Sequence, residues 1–431
     1  MKRLALFILL TAVLVAVSVW LADRPGEVMV RWQGWRIDTT VPVALLILVA
    51  TVAAVLGLVR MLSAVLRSPG RFLRARRERR RREGYRALTD GLAAVASGDT
   101  RQARKLAKRA DKLLADRSLT GLLTAQAAEL TGDETEARRR FEDMLARPET
   151  AYLGLKGLMA LALKAGDRDG ALDYARRAWA LRPGAEDLAA TLFELQARAG
   201  QWAEAEATLA EVKRKGTMNG AELLHRQALV LLERARAAEP AEALRLAIKA
   251  HQADPMLVEA AVEAAERLHR AGKDRKAAAV IENTWRAAPH PALVEAHVGL
   301  APAETPLQRV KRLEKLVKLN PDAADGHVAL AEAAMAATLW GHARTHLEKA
   351  AELRPTAGIY ILLAKLEREE RKDEQAAQAW LAKAATAAPE PAWMCAACGK
   401  SADHWSVACP SCGALDPLVW RQPALGLLPA P

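Results

Sequence analysis

Cysteine is nearly absent from this chain: there are four in 431 residues, all between positions 395 and 412. A disulfide framework stitched through a secreted fold is thereby excluded. Aromatic residues contribute only 4%, an unusual composition for a compact enzyme. There is no phosphate-cradling glycine loop, nucleophile elbow or paired-carboxylate motif, and no dinucleotide-binding glycine motif behind a strand. With no motif for catalysis to rest on, the chain is expected not to be an enzyme. Ala, Leu and Arg fill the sequence instead, with Gly and Pro at spaced positions, so helix formers prevail and an all-α fold is predicted. Acidic charge is also in deficit, with 63 Lys and Arg against 51 Asp and Glu, a formal +12. Ten Arg and two Glu between Arg67 and Arg86 supply +8 of that excess, and the rest of the chain is nearly balanced.

Long uncharged runs are present at the N-terminus. Residues 4–22 carry only Thr11 and Ser18 as polar interruptions, and at about 1.5 Å rise per residue they cover roughly 30 Å of hydrocarbon. A cleaved signal is the rival reading, but Asp23-Arg24-Pro25 offers no small-residue cleavage site. Residues 41–59 form a second uncharged run, which favours a transmembrane hairpin of two spans. Lys2 and Arg3 precede the first span and the Arg-rich stretch from Arg60 to Arg86 follows the second. The loop 23–40 balances Arg24, Arg31 and Arg36 against Asp23, Glu27 and Asp38. Positive charge therefore predicts both termini in the cytoplasm and the loop in the periplasm. That loop alternates around Gly34 like a short hairpin, with Trp32 and Trp35 at the interface, and reads as a membrane-surface turn more readily than as a sensor. Each basic residue beside a span gains about 1 kcal/mol from anionic headgroups, so the bilayer, not nucleic acid, is the expected partner of the Arg run.

The middle of the chain repeats. Gly98-Asp99, Gly132-Asp133, Gly166-Asp167 and Gly200-Gln201 recur every 34 residues, and Gly272-Lys273 marks an equivalent turn. Five residues after each Gly stands an Ala, and the continued frame gives Ala103, Ala137, Ala171, Ala205, Ala243, Ala277, Arg309, Ala343 and Ala377, spaced 34, 34, 34, 38, 34, 32, 34 and 34. In the best unit Ala171, Ala175 and Ala178 place one helical face close against a partner, and Pro183 ends the helix. Each unit reads as two antiparallel helices, a pattern similar to tetratricopeptide repeats. Such pairs stack because none can bury its apolar face alone, and the stack offers a groove for protein ligands. The irregular spacings predict a loop around Glu239-Pro240 and a break near Ala301-Pro302. His342 and His346, four apart on a helix, are candidate metal or haem ligands, though two surface His are more often merely solvated. His225 and His269 are placed on first helices facing the groove.

Cys395-Ala-Ala-Cys398-Gly399 and Cys409-Pro-Ser-Cys412-Gly413 form two knuckles. A two-residue spacing lets a tight turn aim both thiolates at one ion, and two such knuckles complete a tetrahedral S4 shell. Cytoplasmic placement keeps thiols reduced, which favours metal over disulfides. Zn(II) is the expected ion, with iron bound as in rubredoxin as the alternative. Four thiolates fill the shell, so a structural or redox role is predicted and a hydrolytic one is not. Trp393, Trp405 and Trp420 surround the knuckles as a small core or a docking surface, and His404 between them is unnecessary for closure. The predicted domains are a transmembrane hairpin at 1–66, a basic segment at 67–86, helical repeats at 87–390, a cysteine ribbon at 391–421 and a tail at 422–431.

Two N-terminal spans joined by Trp32-Gln-Gly-Trp35, the segment from Thr150 to Gly157 followed by Ala165-Gly166-Asp167, and the closing knuckles together resemble the HemY family over nearly the whole chain. That resemblance implies an inner-membrane scaffold or regulator working with membrane-associated enzymes of haem biosynthesis, and it supplies no catalytic residue. The order of anchor, repeat array and four-cysteine module is also similar to LapB, an adaptor for regulated proteolysis in lipopolysaccharide assembly, although that family has one span. A haem-handling protein, motivated by His342 and His346, is a third expectation.

Overall fold

The computed structural model describes residues 26–423 apart from 115 and 217, together with positions 8–9, 11–13, 15–17 and 19–20. The chain divides into two compact units, Met1–Gly132 and Asp133–Pro431. In the first, β1 (Glu27–Trp32) and β2 (Trp35–Thr40) form an antiparallel hairpin whose register pairs Trp32 with Trp35. Its two-residue turn places Gln33 and Gly34 both at positive φ, the turn geometry that matches the twist of paired strands. Helix α1 (Val41–Ala96) follows at once, with a Pro in its first turn and the Val41 amide donating to the Gly26 carbonyl at 2.9 Å.

Val41–Ser63 of α1, with mean hydropathy 2.7, is the one helix among the described residues long and apolar enough to cross a membrane. It coincides with the second uncharged run. Of the first run, residues 4–22, positions 8–9, 11–13, 15–17 and 19–20 are described and are helical, and the others lie outside the described residues. The structure thus shows one candidate span where the sequence predicts two. Helix α1 continues through the Arg-rich stretch, and its C-terminal turns pack on α2 (Thr100–Leu114) and α3 (Arg117–Leu130) through Ala87, Ala94, Ala103, Ala107, Ala110, Leu123 and Ala127.

The second unit is a stack of helices with a small sheet at its end. Its helices are α4 (Glu134–Leu145), α5 (Pro148–Lys164), α6 (Arg168–Leu181), α7 (Glu186–Arg198), α8 (Trp202–Lys215), α9 (Gly220–Ala237), α10 (Pro240–Ala253) and α11 (Val258–Arg270). They continue as α12 (Asp274–Ala287), α13 (Pro291–Gly299), α14 (Pro306–Leu319), α15 (Ala324–Ala336), α16 (Trp340–Leu353), α17 (Ala357–Glu370) and α18 (Glu374–Thr386). Every anchor of the 34-residue frame lies on an even-numbered helix, the second of its pair, and all eight anchor alanines have 0% exposure. Only a methyl group fits where the two backbones approach so closely. The ninth anchor, Arg309, instead bonds Glu304 from the break at Ala301-Pro302, where α13 stops after 9 residues. The other irregularity resolves differently from the predicted loop. Helix α9 runs for 18 residues against 13 in α7, so the four extra residues add about one helical turn, and Pro240 simply starts α10.

The recurring Gly-Asp has a mechanical cause. Gly98, Gly132 and Gly166 take positive φ at the turn, and the Asp after each accepts an amide hydrogen bond three residues on. A left-handed residue closes one helix and an N-cap opens the next. In the last two pairs Thr338 (φ 58°) and Lys372 (φ 55°) occupy the position that Gly fills elsewhere. A β-branched side chain is disfavoured there by about 1–2 kcal/mol. Thr338→Gly is therefore expected to stabilise the chain by about 1 kcal/mol, read as a rise in thermal midpoint, and a lower midpoint would contradict this account of the turn.

Candidate metal centre

The ribbon is a three-stranded antiparallel sheet in the order β4-β3-β5, with β3 at Ala392–Cys395, β4 at Ser401–Ala402 and β5 at Leu418–Arg421. Cys395 closes β3, and the first knuckle turns back through Gly399 (φ 75°), whose amide donates to the Cys395 carbonyl at 2.9 Å. The second knuckle repeats this, with Gly413 (φ 69°) donating to the Cys409 carbonyl at 2.8 Å. Both turns need the left-handed conformation that Gly tolerates.

The four sulfurs lie within 4.8 Å of one another, with Cys395–Cys412 at 3.8 Å and Cys398–Cys409 at 3.9 Å. These separations are far beyond a disulfide bond. Ligands about 2.3 Å from one ion in a tetrahedron stand about 3.8 Å apart, so the four thiols fit the S4 shell that their spacing predicts. The amides of Cys412 and Ser411 draw the Cys409 thiol down, while hydrogen bonds among the neighbouring thiols hold Cys398 up, so the four thiols share their protons as a cluster that an ion would displace. A bound ion would close the ribbon around Cys395, Cys409 and Leu418, against which Trp393 and Trp405 pack. His404 is exposed and takes no part.

The chain does not leave this module dangling from the last repeat. After α18 it returns to the start of α17, where the Ala357 amide donates to the Ala388 carbonyl at 3.1 Å and the Gly358 amide to Glu390 Oε1 at 2.9 Å. Trp393 then stacks on His290, the N-cap of α13, at 5.1 Å, and Trp420 meets the same ring edge-on at 4.5 Å. Val407 is buried among Ala228, Leu229 and Leu232 of α9, Leu257 at the N-cap of α11 and Ala260 within α11. Trp405 lies under Arg236, whose guanidinium is 5.4 Å from the ring centre. Leu415 packs beside Phe193 and Leu229, and the Gly413 backbone faces Arg168 and Arg198. The ribbon therefore lies along the first helices of several successive pairs, the face expected to be free for ligands. With α7 and α9 it walls a cavity of about 370 Å³ lined by Glu194, Glu222, Arg226 and Asp416 among others.

His225 is the polar pin of this contact. Its Nδ1 lies 2.6 Å from Asp254 Oδ2 of the array, and its Nε2 lies 2.6 Å from Asp416 Oδ2 of the ribbon. Hydrogen bonds to these two carboxylates raise the imidazole to about 10, and His225 in turn lowers Asp254. A folded value above the ordinary 6.5 means that the His225 contribution is complete below about pH 6.5 and is lost as pH rises through about 10. The Asp254 contribution has the opposite sense, being present above about pH 4 and lost in acid. Glu259 beneath the ribbon is pushed up to about 7, chiefly by burial, so the His225 effect is isolated above pH 8. The thermal midpoint of the wild type is expected to fall more steeply between pH 8 and 10 than that of His225→Gln, and parallel curves would show that the pin does not hold the ribbon.

The remaining histidines divide. His269 caps a turn through Asp274 at 2.7 Å. His342 and His346 are joined by His327 from α15 and Glu314 from α14, neither of which sequence spacing could place beside them. Of the Arg run, Arg77, Arg80 and Arg81 line a cavity of about 370 Å³ with Tyr85, Leu113 and Leu119.

The family described as HemY protein N-terminus matches residues 26–132. The chain carries the HemY N-terminal domain. The tetratricopeptide repeat family matches residues 162–224, inside the array. Among curated proteins, the probable magnetosome protein Mms48 of Magnetospirillum gryphiswaldense is 28% identical over 97% of this chain and 93% of that protein. Protein HemY of Escherichia coli K12 is 32% identical over 148 residues, 33% of this chain, so the chain aligns with about a third of that protein, 35% of its length. Among solved structures, a tetratricopeptide repeat protein from Parabacteroides merdae covers 55% of this chain and 93% of its own at 18% identity and TM-score 0.29. MamA from Desulfovibrio magneticus RS-1 covers 39% and 93% at 15% identity and TM-score 0.27. The HemY resemblance read from the Trp loop, the repeat and the knuckles is borne out.

Proposed function

We propose that this HemY-type chain is a non-enzymatic scaffold of the bacterial inner membrane, which holds membrane-associated proteins of haem biosynthesis on a cytoplasmic repeat array. One observation carries the reading: the helix that bears the candidate span is the helix that packs the first repeat. A protein-binding type of array is thus attached to the membrane through a single element. The Arg asymmetry around the spans supports the cytoplasmic orientation, and anionic headgroups are the partner of the Arg run nearest the bilayer. Zn(II) is the ion we assign to the ribbon, with iron as the alternative. Metal analysis of the purified full chain is expected to find one equivalent in the thiolate shell.

Crosslinking in intact membranes followed by mass spectrometry is expected to recover enzymes of tetrapyrrole synthesis, and deletion is expected to shift porphyrin or haem pools. Unchanged tetrapyrroles with altered lipopolysaccharide would move the chain to the adaptor class of LapB. The relative that aligns end to end is named as a probable magnetosome protein, so in an organism that builds that organelle a magnetosome defect with unchanged haem would mark it as the second reading.

A further inference from the structure

We propose that Arg77, Arg80 and Arg81, beside the leucines at the corner between α2 and α3, form a binding site for a phosphate monoester carried on an apolar chain. The site follows from where the packing face of α1 runs out. Gly84, Ala87, Gly91 and Ala94 lie at steps of three and four on α1 and are buried against the first repeat helices. The approach at Gly84 is so close that a Cβ there would meet Leu114 Cδ2 at 2.7 Å and Leu113 Cβ at 3.2 Å. One to two turns earlier the same stripe reads Arg77, Arg80 and Arg81, while α2 ends at Leu114 and α3 begins at Arg117. The face that packs small residues thus turns cationic where its partner helices stop, and a cavity of about 370 Å³ stands there.

Its lining divides by chemistry. Arg77, Arg80 and Arg81 line it together with Tyr85, over whose ring the Arg81 guanidinium stands at 5.8 Å, and Leu113, Leu114 and Leu119 supply an apolar side. Asp116 is the one carboxylate of the lining, and it is engaged in capping α3, where it accepts from the Ser118 amide at 2.9 Å. Both acids of the Arg-rich stretch are paired elsewhere, Glu78 with Arg82 at 3.1 Å and Glu83 with Arg109 at 3.3 Å. Arg77 and Arg80 have no ion-pair partner among the described residues. Three guanidiniums against one engaged carboxylate suit an anion of more than one charge. A phosphate monoester carries about −1.5 to −2 charges near neutral pH and three acceptor oxygens, and the planar fork of arginine matches phosphate. The leucines, with Leu119 41% exposed, add affinity only for a ligand that has an apolar portion. Two sources share this chemistry, a lipid of the phosphatidic acid type and a soluble alkyl phosphate. Only the lipid source rests on the membrane reading of α1.

The test titrates the full chain, held in phosphatidylcholine nanodiscs, with hexyl phosphate and reads the isotherm by calorimetry. One equivalent is expected, bound about 10-fold more tightly than inorganic phosphate. Arg77→Gln, Arg80→Gln and Arg81→Gln together should weaken it at least about 100-fold. The charge-matched control is Arg79→Gln, Arg82→Gln and Arg86→Gln, on the opposite side of α1 and outside the cavity lining. It should change binding less than about 3-fold, with helicity preserved in both variants. Leu119→Gln should weaken hexyl phosphate about 5-fold and leave inorganic phosphate unchanged. Phosphatidic acid added to the disc should abolish hexyl phosphate binding where the lipid is the source and leave it intact where the source is soluble, so a failed membrane reading changes this arm alone. No saturable binding, equal losses in the two triple variants, or an acidic peptide that binds more tightly than hexyl phosphate overturns the site.

Discussion

Stripping the metal from the ribbon, by chelation or by the pair Cys395→Ser with Cys409→Ser, is expected to unfold the module and free it from the array while the helices persist. The module's own core among the described residues is little more than Cys395, Cys409 and Leu418 with Trp393 and Trp405 against them. A core of that size does not fold alone. Structural zinc contributes roughly 10–16 kcal/mol of apparent binding free energy in modules of comparable size. Loss of the ion should expose the segment between α18 and β3 to protease. It should also lower amide protection on the faces of α9 and α11 that cover Val407 by 10-fold or more, a change of about 1.4 kcal/mol per decade. Trp405 emission should shift to the red as Arg236 loses its partner ring. Unchanged protection on α9 and α11 in metal-free protein would show that the ribbon holds its seat without the ion.

The outcome bears on how clients gain access. A ribbon laid along the first helices rigidifies that face and also covers part of it. Two carboxylates share one imidazolium at the contact, and such a partly buried pair is costly to break from one side because a charge is left without its partner. Metal, the His225 pin and the apolar seat of Val407 therefore act together, and loss of the first is expected to undo the other two.

Much of this was legible in the sequence, and the parts that were not share a cause. The 34-residue frame was visible because close helix contact demands a methyl group at the same place in each pair, so Ala103 and Ala377 report the same contact 274 residues apart. The thiolate shell was visible because both knuckles are local. The seat of the ribbon was not, since His225 and Asp416 are 191 residues apart and each alone looks like an ordinary surface residue. The company of His342 and His346 was hidden likewise, because His327 and Glu314 come from two other helices and only the stacking of pairs brings them together. The extra turn of α9 was misplaced as a loop because a spacing of 38 says only that four residues were added, and Pro240 reads equally well as a breaker or as the first residue of a helix.

Replacing Trp285 should cause the largest loss of stability of any single change in the array. Its side chain is fully buried, in the cluster that includes Leu293, Val310, Leu313, Leu316 and Val317, and Trp285→Ala is expected to cost about 3–5 kcal/mol. Two neighbours sharpen the prediction. The indole Nε1 is enclosed without a partner among the described residues, so Trp285→Phe removes an unsatisfied donor whose burial costs about 1–3 kcal/mol, and the net loss should be well below that of the alanine variant. Gly326 on α15 leaves room for the ring, because a Cβ there would meet Trp285 Cζ2 at 2.8 Å and Val317 Cγ2 at 3.2 Å. In the wild type Gly326→Ala should therefore cost about 1–3 kcal/mol through overpacking, despite the roughly 1 kcal/mol that Ala gains over Gly within a helix. Once Trp285 is Ala the closer obstruction is gone and only the Val317 Cγ2 contact at 3.2 Å remains against the helical gain, so the same substitution should cost much less or turn neutral. Thermal melts of the four proteins in this cycle should give a coupling of about 1–3 kcal/mol. Strict additivity would mean that Gly326 is present for some reason other than the indole that lies against it.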